Sequence, residues 1–110
     1  MSSILGDWVF TIKTPIGSIT AEYTFTESSG EILGSASGTG ERVTLHDIAR
    51  EPHAAGERVT WHQQITKPMR LNLTFDVVVA GDELHGHSRA GKLPRSKVQG
   101  SRQHTPPHHR

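Results

Sequence analysis

Apolar side chains recur at every second position along most of this chain, and a period of two admits half-buried β-strands and little else. In a first run Trp8, Phe10 and Ile12 share a face, with Val9, Thr11 and Lys13 opposite. A second run sets Ile19, Ala21, Tyr23 and Phe25 against Thr20, Glu22 and Thr24. The clearest run places Leu71, Leu73, Phe75, Val77 and Val79 on one side and Asn72, Thr74 and Asp76 on the other. A helical period is sustained nowhere.

The runs are punctuated by Gly, Pro, Ser and Asp at residues 14–17, 28–30, 38–40, 66–69, 80–82 and 91–94, residue types that preset or permit turn dihedrals. Between them fall a third strand over 31–37, rich in small residues, and a fourth with Val43, Leu45 and Asp47 facing one way and Thr44, His46 and Ile48 the other. A fifth carries Val59, Trp61, Gln63 and Ile65 on one face. Two more follow at 83–90 and 95–102. The expectation is all-β: eight strands in an antiparallel up-and-down barrel. A curled open sheet that pairs with a second copy as a homodimer is the alternative. Closure removes exposed strand edges, and eight strands enclose an interior filled by side chains or by one small ligand.

The chain also reads as internally duplicated. Seven residues after Trp8 comes Pro15, and seven after Trp61 comes Pro68; Ile12 and Ile65 share an offset. Two four-strand meanders follow, about 5–50 and 57–102, with residues 50–56 as the break between them. At 110 residues, this is one domain over 1–102 with an unpatterned tail at 103–110. A hydrophobic fraction of 33% with 11 glycines suits a sheet with one apolar face and many turns.

Composition removes several chemistries. The chain has no cysteine, which excludes disulfides, Cys-based zinc sites and thiol nucleophiles. No basic segment followed by an apolar run opens the chain, and no apolar stretch reaches membrane-span length, so a cytoplasmic protein without membrane contact is expected. Charge is uneven: residues 1–83 hold all eleven Asp and Glu against six Lys and Arg, −5, whereas 84–110 hold six Lys and Arg and no acid, +6. The basic run (Arg89, Lys92, Arg95, Lys97, Arg102) has no interleaved aromatic for base stacking. It reads as solvated strand edge, and no nucleic-acid partner is expected.

Gly6-Asp-Trp8, Thr14-Pro-Ile-Gly17, Trp61, Pro68-Met69, Leu73-Thr-Phe75, the Gly81-to-Gly86 segment and Gly100-Ser-Arg102 together form a pattern. It resembles a small all-β domain of unknown function, found as stand-alone bacterial proteins and appended to the C-terminus of some amidohydrolases. In outline it is also similar to the calycins, the lipocalin and fatty-acid-binding barrels. The calycin resemblance implies that Arg102 packs on Trp8. The chain is much shorter than lipocalins and has neither their secretion signal and disulfide nor a segment patterned like the helical lid of fatty-acid-binding proteins. These departures speak against transport of a large lipid. The resemblance supplies no catalytic residues.

Among candidate side chains, Tyr23, Asp47 and Gln63 fall on apolar faces by alternation. Burying a carboxylate is costly unless it is paired. Two readings stay open. Asp47 and Gln63 meet in the lumen as polar anchors, or these positions reach water at the barrel ends, with a bulge turning Asp47 outward. His85 and His87 share a strand face, a spacing that offers two imidazoles to one metal; solvent-facing histidines are the plainer reading, and no metal or other cofactor is expected.

The leading functional expectation is a barrel that accepts a small apolar or aromatic molecule between Trp8, Tyr23, Phe25, Trp61, Leu73 and Phe75, with Asp47 and Gln63 as anchors. A compact isomerase, cyclase or hydratase is the second, with Asp47 or His87 as base and Tyr23 as acid or oxyanion donor. The third is an accessory module pairing through strand edges or an outer patch of Val9, Ile48 and Val78.

Overall fold

A computed structural model describes residues 3–14, 17–38, 40–66 and 70–103. The turn residues expected at 15–16, 39 and 67–69, and the tail from 104 on with its three histidines, lie outside them. Within the described residues the chain is all-β, with nine strands: β1 (Gly6–Thr14), β2 (Gly17–Ser28), β3 (Glu31–Gly38), β4 (Glu41–Thr44), β5 (His46–His53), β6 (Gly56–Ile65), β7 (Leu71–Ala80), β8 (Glu83–Ala90) and β9 (Ser96–Arg102). They form one antiparallel sheet in the order β4-β3-β2-β1-β9-β8-β7-β6-β5. Pairing of the first strand with the last, Trp8 opposite Arg102 through Lys13 opposite Lys97, curls the sheet into a nearly closed barrel.

The count of nine corrects the expected eight, and the difference lies in one segment. The alternation from Val43 to Ile48 reads as a single strand, but the chain leaves one end of the sheet and joins the other within it. β4 pairs with β3, and β5 pairs with β6. Leu45 sits at the crossing, and its N–H donates to the Gly34 carbonyl at 2.9 Å, stitching the seam. Just beyond, the β5–β6 register slips between His46 and Ala49, and Asp47 takes φ 55°. This bulge inserts one residue and inverts the alternation. Leu45 and Ile48, opposed in the sequence pattern, therefore both pack inward near Gly34 and Phe25, and Asp47 turns outward. The segment 50–56, expected to separate two halves, is the end of β5 and its hairpin into β6.

The β2–β3 hairpin shows why turn residues sit where they do. Ser28 and Glu31 are opposite one another, leaving a two-residue loop. Ser29 and Gly30 both take positive φ, 53° and 82°, as a turn matched to the twist of its strands requires.

Inside, each strand contributes alternate side chains to a core that is densest at one end. Phe10 stacks on Tyr23 with ring centres 4.0 Å apart, and Trp61 stacks on Phe75 at 5.0 Å. Phe25 meets the Trp61 ring edge-on at 5.2 Å. Residues 3–5 cross this end of the barrel. Ile4 is fully buried, its carbonyl accepts the Trp8 indole N–H at 2.7 Å, and its N–H donates to Glu57. The Arg102 guanidinium lies 4.4 Å over the Trp8 ring, as the calycin resemblance implies. It also donates to the carbonyls of Ser3, Leu5 and Gly81 and to the Asp82 carboxylate. One cation thus ties the segment preceding β1, the β7–β8 turn and the last strand together, and it closes this end.

Candidate functional site

The opposite end of the barrel is hollow. A cavity of about 380 Å³ opens there, within the roughly 300–1,000 Å³ typical of small-molecule sites. Its origin is a change in side-chain size along the strands. Positions that point inward near the closed end carry Phe10, Phe25, Trp61 and Phe75, all fully buried or nearly so. Beside these aromatics and on towards the open end the lining becomes Ala21, Ala36, Gly38, Ser88, Ala90 and Ser96, with Ala21 opposite Phe10 and Ser88 opposite Phe75. The walls are completed by branched aliphatics, chiefly Ile12, Ile19, Val43, Ile65, Leu71 and Leu73, with Leu93 and Pro94 of the β8–β9 connection at the mouth.

The floor is polar at one point. Gln63, only 5% exposed, reaches from β6 between the two aromatic pairs. Its Oε1 accepts the Tyr23 hydroxyl at 2.9 Å and the Trp61 indole N–H at 3.0 Å. An indole nitrogen only donates, so the atom facing it must be the amide oxygen, which settles the orientation of the amide. Ser88, from β8, lines the same cavity and is also 5% exposed. Burial pushes the Tyr23 phenol well above its ordinary range, and the bond to Gln63 opposes this only in part. Tyr23 is a neutral hydroxyl throughout the physiological range. Glu41, at the rim, accepts from the Thr66 N–H and hydroxyl, its bond to the hydroxyl being 2.6 Å.

The sequence-predicted residues separate into three groups. Tyr23, Gln63 and Leu73 line the cavity. Trp8, Phe25, Trp61 and Phe75 are buried among the core residues rather than on the cavity wall. Asp47 is on the outer wall, its side chain 78% exposed and its carboxylate 3.2 Å from His62 Nδ1. The expected meeting of Asp47 with Gln63 is therefore not made, because the bulge turns Asp47 away. His85 and His87 also face outward and are exposed. Among the described residues no three His, Asp or Glu side chains converge as metal ligands would. The cluster on that wall is ionic: Arg58 bridges Glu51 and Asp76, and its guanidinium holds the Asp76 carboxyl below the usual carboxylate range.

Sequence reasoning passed over Ile4, Ser88, Ala90 and Leu93. Alternation marks Leu84, Gly86, Ser88 and Ala90 as one face of β8, so the inward direction of Ser88 and Ala90 is readable. The fall in volume along that face is the signal that a void begins there.

Fold and site together define a small antiparallel barrel, closed at one end and hollow at the other, an arrangement compatible with the calycin plan. Comparison of the chain with protein-family models, with curated proteins and with solved structures finds no match. No helix among the described residues is long and apolar enough to cross a membrane.

Proposed function

We propose that this protein binds a small, largely apolar molecule in the open end of its barrel. The observation that carries the reading is the cavity itself: about 380 Å³, walled mainly by aliphatic side chains, with the polar side chains of Gln63, Tyr23 and Ser88 in its lining. A filled lumen would need large side chains where Ala21, Ala36 and Ala90 stand. The titratable groups put forward as bases, Asp47 and His87, project from the outer wall, and Tyr23 keeps its proton, which supports binding over the catalytic roles expected of these three. The Trp-to-Pro spacing supports a further reading of the barrel as two related meanders, about 5–50 and 57–102.

Burial of methylenes at about 0.8 kcal/mol each sets the scale. Seven of them contribute roughly 5–6 kcal/mol, a dissociation constant on the order of 0.1 mM before polar contacts are counted. The test is titration with 1-aminoanthracene, an uncharged dye whose emission rises on leaving water. Wild-type protein is expected to bind one equivalent. Ala90→Trp, which sets an indole in the mouth of the cavity, is expected to weaken binding at least tenfold, about the effect of losing two methylenes of burial. Equal binding by both proteins, or none by the wild type, defeats the reading.

A further inference from the structure

We infer that the cavity selects an uncharged ligand bearing a hydrogen-bond acceptor, such as a ketone, aldehyde, ester or amide carbonyl, and discriminates against fatty-acid-like carboxylates and against ammonium ions. This rests on the binding reading above and specifies the class of molecule that the same site takes.

The argument begins with the Gln63 amide. Both hydrogen bonds to its oxygen come from within the protein, from Trp61 Nε1 and the Tyr23 hydroxyl. Trp61 can only donate, so the amide cannot turn over without setting N–H against N–H. Its Nε2 is therefore held on the side away from these two partners. No hydrogen bond to a described residue engages that nitrogen, and no polar side-chain atom among the described residues is sealed from solvent without a partner. Since Gln63 lines the cavity and is otherwise buried, its N–H donors face the cavity. An amide N–H in an apolar surrounding gains most from an acceptor.

Charge completes the argument. Among the described lining residues, the charged side chain is Glu41, a carboxylate. A second carboxylate entering the cavity meets no cation among the described lining residues and loses its hydration, a heavy penalty for an unpaired ion. An ammonium is met by Glu41 at the rim, but at the floor it offers only donors to the Gln63 donors. A neutral carbonyl accepts from Gln63 with no charge to desolvate. The hydroxyls of Tyr23 and Ser88, which line the same cavity, suit an amide N–H or an alcohol on a head group.

The experiment is displacement of bound 1-aminoanthracene at pH 7 by three eight-carbon competitors: 2-octanone, octanoate and octylammonium. The ketone is expected to compete at least tenfold better than either ion, the factor that about one hydrogen bond made or lost produces. Gln63→Glu keeps an oxygen for Trp61 and Tyr23 but replaces the cavity-facing donor with an acceptor. In that variant the ketone preference is expected to vanish and octylammonium to become the best competitor. Octanoate or octylammonium competing as well as the ketone against wild type overturns the selectivity while leaving the binding reading intact. An unchanged competitor order in Gln63→Glu overturns the role of Gln63. Should Gln63→Glu fail to fold, the wild-type order alone decides. Failure of the dye and of all three competitors to bind, checked by calorimetry, removes the binding reading and this inference with it.

Discussion

Gly86→Ala is the substitution that most directly tests how the barrel is built. Gly86 lies opposite Val77 in the β7–β8 ladder. A methyl placed on it would stand 2.0 Å from the Asp76 carbonyl oxygen, 2.6 Å from the Val77 Cα and 2.9 Å from the Asp76 carbonyl carbon. All three are main-chain atoms, so no side chain can swing aside. Ordinary contact begins near 3.4 Å, so the strands must part by about 1.4 Å at this point. Ladder bonds sit close to 2.9 Å and weaken steeply when stretched and tilted that far. Two such bonds at about 1 kcal/mol each, with roughly 1–3 kcal/mol of overpacking strain, sum to about 3–5 kcal/mol. That is a large share of the roughly 5–15 kcal/mol that holds a domain of this kind. Urea unfolding followed by tryptophan emission measures the effect, with Gly91→Ala as the reference. Gly91 has open space around it but φ 57°, so its alanine variant suffers only the left-handed penalty, about 1–2 kcal/mol. If Gly86→Ala loses no more stability than Gly91→Ala, the close approach of β7 to β8 is not what demands glycine.

Tyr23 is the only tyrosine in the chain, so its ionisation can be read directly by ultraviolet absorbance. Its folded pKa lies above the ordinary 10.0, so its contribution to stability is complete below that pH and is lost as pH rises through the folded value. Phenolate absorbance is therefore expected to appear together with unfolding, and Tyr23→Phe is expected to lose about 1 kcal/mol near neutrality; a reversible titration near pH 10 in the folded protein would contradict the burial argument. At the bulge, Asp47→Gly is expected to leave both stability and dye binding within error. Asp47→Val, which forces a β-branched residue to φ 55°, is expected to cost about 1–2 kcal/mol in urea unfolding without weakening the dye. A loss of dye affinity in Asp47→Gly would return Asp47 to the site.

Much of the strand layout is legible in the chain because alternation and turn chemistry agree there. β1, β2, β6, β7 and β8 all follow the sequence pattern closely, and each is bounded by residues that favour turns. The failure at residues 43–48 is specific. Val43, Leu45 and Asp47 alternate as faithfully as any strand, and nothing in their side chains states that Asp47 adopts positive φ. Asp tolerates that conformation better than most residues, but it does not compel it. The bulge follows from closure. One segment must leave β3 and reach β6, and the extra residue lets it do so with Leu45 and Ile48 both facing the core. That requirement belongs to the assembled sheet, so a local pattern cannot carry it, and the same step misplaced the one carboxylate proposed for the lumen.

The cavity was less legible than the strands for a related reason. Alternation gives the direction of a side chain, whereas a void depends on which side chains stand at the same height around the barrel, and height depends on register. Tyr23 lies opposite both Trp8 and Ala36, and Phe75 lies opposite both Trp61 and Ser88. Only with those pairings known do the small residues of β3 and β8 come to stand beside the aromatic layer, where the void begins. Gln63 shows the limit of the pattern from the other side. A lone Gln on an apolar strand face can be a barrel-end residue reaching water or a buried hub. What decides it is the donor-only indole of Trp61 on the same strand and a tyrosine forty residues away in sequence, both meeting one oxygen. Once that oxygen is occupied, the amide nitrogen has only the cavity to face, and a residue that looks like a flaw in the apolar face becomes the group that sets what the cavity prefers.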